Sequence, residues 1–403
     1  LYKFKFKALK DKTNRAISAL PQKDFKITLK TFFGLEEVLK EELHELGYRD
    51  VQVLNRAVQI KGDWEDVYRL NLHLRCAISV LVTIAEFRIR EEKDLYKNCL
   101  KIKWTDLFSV DKTFAVKGAV FSNLFKHSQF PFLLVKDAVA DTFREELDDR
   151  PNVNVKTPQV LFDLYIREDQ VTISLNTSGS PLFQRGYRES TGEAPLNEVV
   201  AAGLIRLSGW DRKSPFIDPF CGSGTLLIEA AFLATGIPSN IERQHYAFRN
   251  FKNFDRELWE KLHQDAKRNV SGLPCVIKGG DISDEMILKT RRNLRALPFG
   301  RFVETTSGPF EQFKVPEGSG IMVTNPPYGV RMGDDIAELY ERIGSWMKHS
   351  LPGYSCWILS SSEEGFKTIG LKPEKKIRVY NGELECSFRK FSVYEGSKKA
   401  DRT

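Results

Sequence analysis

The stretch VTNPPYG, residues 323–329, ends an apolar run on Asn325, Pro326, Pro327 and Tyr328. A turn needs a proline or a glycine, but not this asparagine and this tyrosine as well. Asn325 supplies an amide oxygen acceptor. Pro326 has a carbonyl and no competing N–H. Tyr328 offers a flat ring on which a base can stack. Two acceptors and a ring suit a planar exocyclic amine. Such an amine is a poor nucleophile because its lone pair is delocalised into the ring. Hydrogen bonds accepted from its two N–H groups favour the pyramidal, nucleophilic form at the transition state. This chemistry requires no metal and no covalent nucleophile. An adenine amine and a guanine amine ask the same of Asn325 and Tyr328. The plainer alternative is a proline-rich turn.

A second chemical feature precedes it. DPFCGSGT, residues 218–225, sits between a short apolar run and a strongly apolar helical pattern. Gly222 and Gly224 permit a tight turn and close approach of backbone to a ligand. The helix that follows offers free N–H groups to an anionic ligand end. The spacing is neither a dinucleotide fingerprint, since Leu227 stands where a third glycine would be, nor a P-loop. One strand later, CVIKGGDIS (275–283) ends on Asp281, placed to bind both hydroxyls of a ribose. Asp281 could instead cap the next helix, though Ser283 can do that. A glycine loop followed by such an acid points to a nucleoside ligand without saying which.

These residues need strand ends to hold them. From residue 196 onward, strand-like and helix-like segments alternate: a helix over 196–210, strands at 214–220, 275–283, 302–306, 319–329 and 354–361, and helices at 223–236, 284–297 and 334–351. That alternation predicts a doubly wound, mainly parallel sheet. KKIRVY-NG-ELECSFRKFSVY closes the chain as two strands around Asn381-Gly382, an antiparallel hairpin. The first half interleaves strands and helices as one or two small α+β units. In its first helix Leu35, Val38, Leu39, Leu43 and Leu46 share one face, which Glu42 interrupts. Asp63 is placed to cap the helix over 63–74. SPLFQRGYRESTGEAP, residues 180–195, is polar and punctuated by Gly and Pro, and fits a linker.

Composition sets the outer bounds. The 403 residues are 41% hydrophobic and 29% charged, ordinary for a globular protein of two or three domains. No apolar run approaches the roughly 18 residues that span a bilayer, and the basic N-terminus lacks a secretory apolar core. Six cysteines at wide, irregular spacings, with no CxxC, read as small buried side chains in a reducing, cytoplasmic setting, without disulfides or zinc. Residues 1–30 hold nine Lys/Arg and two Asp/Glu, a surplus equal to the chain's net charge of +7. That arm either touches phosphates or is a solvated tail.

Together, DPFCGSGTLLIEAA, NPPYG and YNGELECSFRKF resemble class I S-adenosylmethionine-dependent methyltransferases that modify exocyclic amines. PLFQRGYRESTGEAPLNEVVAAGLIRLSGW resembles a narrower group, the bacterial THUMP-domain methyltransferases of the large-subunit rRNA guanine-N2 (RlmL-like) type. The likeness covers roughly residues 25–395, more by pattern than by motif over 60–165. It implies a Rossmann-like seven-stranded α/β sheet with an antiparallel terminal hairpin, over 196–396. It also implies a ferredoxin-like part (25–60), an RNA-binding THUMP region (61–178), a linker (179–195) and a basic arm (1–24). By the same likeness Asp218, Phe220, Cys221, Gly222, Gly224 and Thr225 form the cofactor loop for S-adenosyl-L-methionine, and Asp281, with Ile282 beside it, holds its ribose. Asn197 faces the methionine end, and Asn325, Pro326, Pro327 and Tyr328 form the catalytic corner. The residue contacting the adenine is unassigned: VETTSGPFEQF offers Ser307 near that place, with Glu304 and Glu311 farther off.

RNA is the expected partner, with neither metal nor membrane and as monomer or homodimer. Arg185, Tyr187 and Arg188 of QRGYRES are candidates to grip its phosphates and bases, helped by Lys117, Phe121, Lys126, His127 and Phe130. Fused members of that group carry a second methyltransferase domain after the hairpin, where this sequence stops, so a single modification is expected. Three competing readings share the motifs: a tRNA guanine-N2 enzyme, a DNA adenine-N6 enzyme, and an RNA-binding assembly factor without activity.

Overall fold

A computed structural model describes residue 21 and residues 23–188, 196–268, 272–327 and 335–393. Two seven-stranded sheets dominate them. The first is built from β1 (Phe25–Lys30), β2 (Gln52–Leu54), β3 (Ala57–Gly62), β4 (Ser79–Arg88), β5 (Phe114–Phe121), β6 (Val160–Arg167) and β7 (Gln170–Asn176). Its order is β2-β3-β1-β4-β7-β6-β5, antiparallel except for the β5–β6 pair. β1 alternates buried Phe25, Ile27 and Leu29 with half-buried Lys26, Thr28 and Lys30, the period-2 signature of a strand with one face on the core. Because β4 pairs with β1 on one side and β7 on the other, the 25–60 and 61–178 regions share one continuous sheet.

Four longer helices accompany this sheet: α1 (Glu36–Glu45), α2 (Trp64–His73), α3 (Glu92–Cys99) and α4 (Phe130–Leu147). Asp63 caps α2 in a full capping box with Asp66. Most of the basic arm lies outside the described residues, although the carbonyl of Pro21 accepts a hydrogen bond from the Trp64 indole at 3.1 Å.

The second sheet comprises β8 (Phe216–Asp218), β9 (Ile277–Asp281), β10 (Val303–Ser307), β11 (Ile321–Thr324), β12 (Ser355–Ser360), β13 (Lys375–Asn381) and β14 (Leu384–Ser392). Its order is β10-β9-β8-β11-β12-β14-β13. Strands β10 to β12 are parallel, β14 enters antiparallel to β12, and β13 forms the edge. The chain steps outward from β8 through β9 to β10, then returns to β11 on the opposite side of β8. The crevice between the C-terminal ends of β8 and β11 is therefore the topological switch point, where such sheets bind ligands. The helices are α5 (Glu198–Leu207), α6 (Thr225–Thr235), α7 (Arg256–Arg268), α8 (Asp284–Arg295), α9 (Asp335–Ser350) and α10 (Glu363–Thr368).

One apolar core runs through both halves, from Ile27 and Leu39 through Phe162 to Phe232 and Phe388. The segment after α6, which carries no motif, supplies much of the join. Tyr246, Phe248 and Trp259 are buried, and the rings of Phe248 and Trp259 pack on Tyr68 of α2 at 4.8 and 6.2 Å. Residues 180–188 do not behave as a solvated linker. Arg185 and Tyr187 are enclosed, and an added Cβ at Gly186 would come within 2.8 Å of the Glu242 carbonyl.

Candidate functional site

The glycine loop leaves β8 at Asp218 and enters α6 at Thr225. Gly222 and Gly224 take positive φ values of 54° and 86°, which side chains rarely adopt. The two glycines differ in surroundings. A Cβ on Gly224 would lie 2.7 Å from the Thr290 methyl, so that glycine is needed for packing against α8. A Cβ on Gly222 would meet nothing within 4 Å, so its open side leaves room for a ligand. Thr290 Oγ1 donates to the Gly222 carbonyl at 2.7 Å, and Asn293 donates to that of Ser223 at 3.0 Å, so α8 fixes the loop from behind.

Asp281 ends β9 beside this loop. Its Oδ2 accepts the Gly222 N–H at 2.9 Å and its Oδ1 the Ser283 N–H at 2.9 Å. A carboxylate offers about four lone-pair sites, so two remain for hydroxyl donors. The helix-capping task falls to Ser283, whose hydroxyl accepts from the Met286 N–H at 3.3 Å. Ile282, the next residue, is 78% exposed, an apolar side chain held out at the ligand edge of the sheet. Ser307 pairs across from Asp281, and Gly308 N–H donates to the Asp281 carbonyl at 3.0 Å, which brings the turn after β10 to the same place.

Asp218 does a different job. It is buried, and its Oδ1 accepts both the Thr324 hydroxyl at 2.6 Å and the Phe220 N–H at 3.1 Å. It thereby ties the start of the glycine loop to the last residue of β11. Burial pushes its carboxyl up to about 7 against those two hydrogen bonds, and nearby Asp281 adds to the rise. Burial likewise pushes the Cys221 thiol well up, with Asp218 and Asp281 adding to it, so that sulfur is held as an unreactive thiol. The Phe220 ring packs on Phe310 at 5.1 Å.

Asn325 follows Thr324 directly. It is half-buried, and its Oδ1 is enclosed with no hydrogen-bond partner among the described residues. A buried acceptor left unpaired costs free energy, so an incoming N–H donor is favoured here. Pro326 is buried and Pro327 exposed. Tyr328 lies outside the described residues. The structure thus brings Asp218, Gly222, Gly224, Thr225, Asp281 and Asn325 to one crevice.

Four expected residues have other engagements. The Asn197 side chain caps α5, accepting from the N–H groups of Val199 at 2.9 Å and Val200 at 3.4 Å. Arg188 pairs with Glu198 at 2.8 Å and donates to the Leu196 carbonyl and to Thr225 Oγ1. One guanidinium so joins the starts of α5 and α6 and keeps Asn197 near the glycine loop. Arg185 is 2% exposed and donates to the carbonyls of Leu74, Arg75 and Leu182, to Asn240 Oδ1 and to Glu229. The Tyr187 hydroxyl also reaches Glu229, at 3.3 Å. Side chains enclosed in this way cannot grip RNA, and the role expected of Arg185 and Tyr187 is corrected to one of joining the two halves. QRGYRES alone could not reveal this, because the partners come from residues 74–75, 229 and 240. Among the described residues no cluster of His, Cys, Asp and Glu is arranged to hold a metal, and no helix is long and apolar enough to cross a membrane.

The chain is similar to known proteins. Residues 185–390 match the family described as RMKL-like, methyltransferase domain. Residues 26–81 match an RlmL ferredoxin-like domain, and residues 90–176 a THUMP domain. A ribosomal RNA large subunit methyltransferase K/L of Psychromonas ingrahamii is 35% identical over 368 residues, covering 89% of this chain and 49% of that protein. The chain spans about half the length of the curated relatives it matches. The structure of SMU.472 complexed with SAH superposes with a TM-score of 0.83 at 28% identity, covering 94% of this chain and 100% of that one. A Listeria monocytogenes structure, described as a "predicted N6-adenine-specific DNA methylase", gives 0.82 at 27% identity over 92% of this chain and 97% of its own.

Proposed function

Because the chain belongs to the RMKL-like methyltransferase family, we propose that it transfers a methyl group from S-adenosyl-L-methionine to large-subunit rRNA, and specifically to the N2 amine of a guanine. The observation that carries the chemistry is the enclosed Asn325 Oδ1 at the end of β11, unpaired among the described residues and across the crevice from the glycine loop. The residues present fit the cofactor. The open side of Gly222 admits a ligand to the loop, Asp281 keeps lone pairs for the ribose hydroxyls, and exposed Ile282 offers an apolar surface to the adenine. S-adenosyl-L-methionine, when bound, supplies an electrophilic methyl group.

The protein's own part is binding and orientation. Asn325 Oδ1 and the Pro326 carbonyl accept the two N–H groups of the target amine, which directs its lone pair at the methyl carbon. The amine forms the new N–C bond and the S–C bond breaks. One N–H proton then passes to solvent. In the sequence Tyr328 follows this corner with a ring suited to stacking on the base. The THUMP-matching region and the ferredoxin-like part support RNA as the substrate. Together with the relative named for large-subunit rRNA, they favour rRNA over tRNA or DNA.

The test is to incubate the full chain and labelled S-adenosyl-L-methionine with protein-free large-subunit rRNA, with tRNA and with duplex DNA. The nucleosides are then separated by mass spectrometry. N2-methylguanosine from rRNA is the expected product. Label confined to tRNA, or to N6-methyladenine in DNA, overturns the assignment.

A further inference from the structure

The rim beyond Asn325 carries an aromatic pair that the proposed reaction does not use. β13 is the edge strand of the second sheet, and the loop after β1 lies against it. An added Cβ at Gly34 would sit 3.2 Å from the Arg378 carbonyl, so the two backbones nearly touch. Next to this contact, the Phe33 and Tyr380 rings meet edge-on, with centroids 5.8 Å apart and planes at 82°. Phe33 remains 41% exposed, unlike a ring whose only task is to seal an interface. The Tyr380 hydroxyl is engaged by Glu385 at 2.8 Å, which fixes that ring. The Phe33 loop is fixed too. Glu36 accepts the Gly34 N–H at 2.7 Å through one oxygen and the Arg56 N–H at 2.9 Å through the other. This sets the backbone of exposed Arg56 beside the loop, and exposed Arg378, which pairs loosely with Glu385 at 3.9 Å, lies two residues before Tyr380.

The register locates the pair relative to the catalytic corner. Thr324 is level with Ile358, Ile358 with Arg389, and Arg389 with Lys376. β13 therefore runs in the same direction as β11, and Asn325 is level with Ile377. Tyr380 lies three residues farther along and three strands across, roughly 10 Å beyond the corner and 14 Å to its side. The glycine loop and Asp281 occupy the other side of β11. An RNA strand presenting a base to Asn325 is left the β12-β14-β13 side of the rim, where Phe33 and Tyr380 stand.

We infer that Phe33 and Tyr380 form a stacking platform for an unpaired RNA base flanking the target nucleotide, with Arg56 and Arg378 beside it to meet the phosphates. An edge-on pair covers a face of one ring only and Phe33 stays exposed, while two exposed arginines whose backbones lie close to the pair suit a polyanion better than an apolar protein partner. The inference rests on the RNA methyltransferase reading above and names a substrate contact for it.

The test uses the full chain with Phe33→Leu and Tyr380→Leu, which keep apolar volume but remove the ring. It also uses Phe33→Trp and Tyr380→Phe, which keep a ring. For methylation of protein-free large-subunit rRNA, the leucine variants should raise KM about 10-fold with kcat within about twofold of wild type. Their affinity for SAH should be unchanged, and the ring-keeping variants should stay within about twofold in KM. An unchanged KM in both leucine variants overturns the platform, as does a loss of SAH affinity parallel to the loss of activity. Ultraviolet cross-linking of wild-type protein to the same rRNA gives a second measure that needs no mutation. Cross-links at Phe33 or Tyr380 are expected, and cross-links mapping only elsewhere overturn the inference. Failure of the wild-type chain to methylate rRNA defeats the proposed function instead, and the cross-linking result then decides the platform.

Discussion

Asn325 and Asp218 are neighbours across one crevice but owe their properties to different causes. Asn325 carries an enclosed acceptor that is unpaired among the described residues, so its value lies in the donor it awaits. Asn325→Ala should leave SAH affinity intact and lower kcat by about 10-fold or more, the order expected for losing one transition-state acceptor. Wild-type turnover in that variant would remove Asn325 from the reaction. Asp218 is a carboxyl raised from its ordinary 3.8 to about 7, chiefly by burial. Between those values the unfolded chain has released a proton that the folded chain keeps. The contribution of Asp218 to stability is thus fully present below 3.8, falls as pH rises towards 7, and is level above it. Asp218→Asn keeps an acceptor for Thr324 and Phe220 and has no proton to hold. Without ligand, its melting temperature should fall less than that of wild type across this pH window. Parallel profiles would show that Asp218 titrates elsewhere.

At the scale of elements, the buried polar groups connect pieces that are distant in sequence. Glu42, which interrupts the apolar face of α1, accepts the N–H groups of Arg75 at 2.9 Å and Cys76 at 3.0 Å. Arg75 in turn donates to the carbonyls of Phe232 and Ile237, at the end of α6 and just beyond it. Arg185 and Glu229 extend the network. Arg185→Met should cost about 3–5 kcal/mol in urea unfolding, because it leaves Glu229 buried without its charge partner. The same variant should bind rRNA as wild type does wherever it remains folded. Weaker RNA binding with unchanged stability would restore the RNA-gripping role to Arg185. The positions and types of α1, α2, α6 and the terminal hairpin were readable, from the apolar stripe of α1, the Asp63 cap of α2, the strongly apolar run of α6 and Asn381-Gly382 in the hairpin. α7 and α10 were not assigned from sequence. α10 has six residues, and α7 is polar apart from a few residues whose apolar face meets the first half of the chain.

For the whole molecule, two sheets and 403 residues would suggest two folding units, yet one apolar core passes through both. Tyr68, Phe248 and Trp259 pack at tilted and edge-on angles across the join, and Gly203 of α5 leaves room for Leu35, whose methyl would lie 2.6 Å from an added Cβ. Calorimetry should therefore show a single transition with equal calorimetric and van't Hoff enthalpies. Two resolved transitions would mean that the join melts on its own.

The sequence by itself singled out the residues that the proposed chemistry uses and predicted the second sheet. The glycine loop, Asp281 and the Asn-Pro-Pro corner are local patterns, and alternation of strand and helix forces a parallel sheet whose strand ends gather them. Only the tertiary structure decided what Arg185, Tyr187 and Glu42 do. Basic and aromatic residues in a polar stretch look alike whether they face RNA or a buried carboxylate. The difference is the desolvation imposed by partners 42 to 111 residues away. The same holds for Phe33 and Tyr380, which meet only because the first loop of one sheet closes over the edge strand of the other.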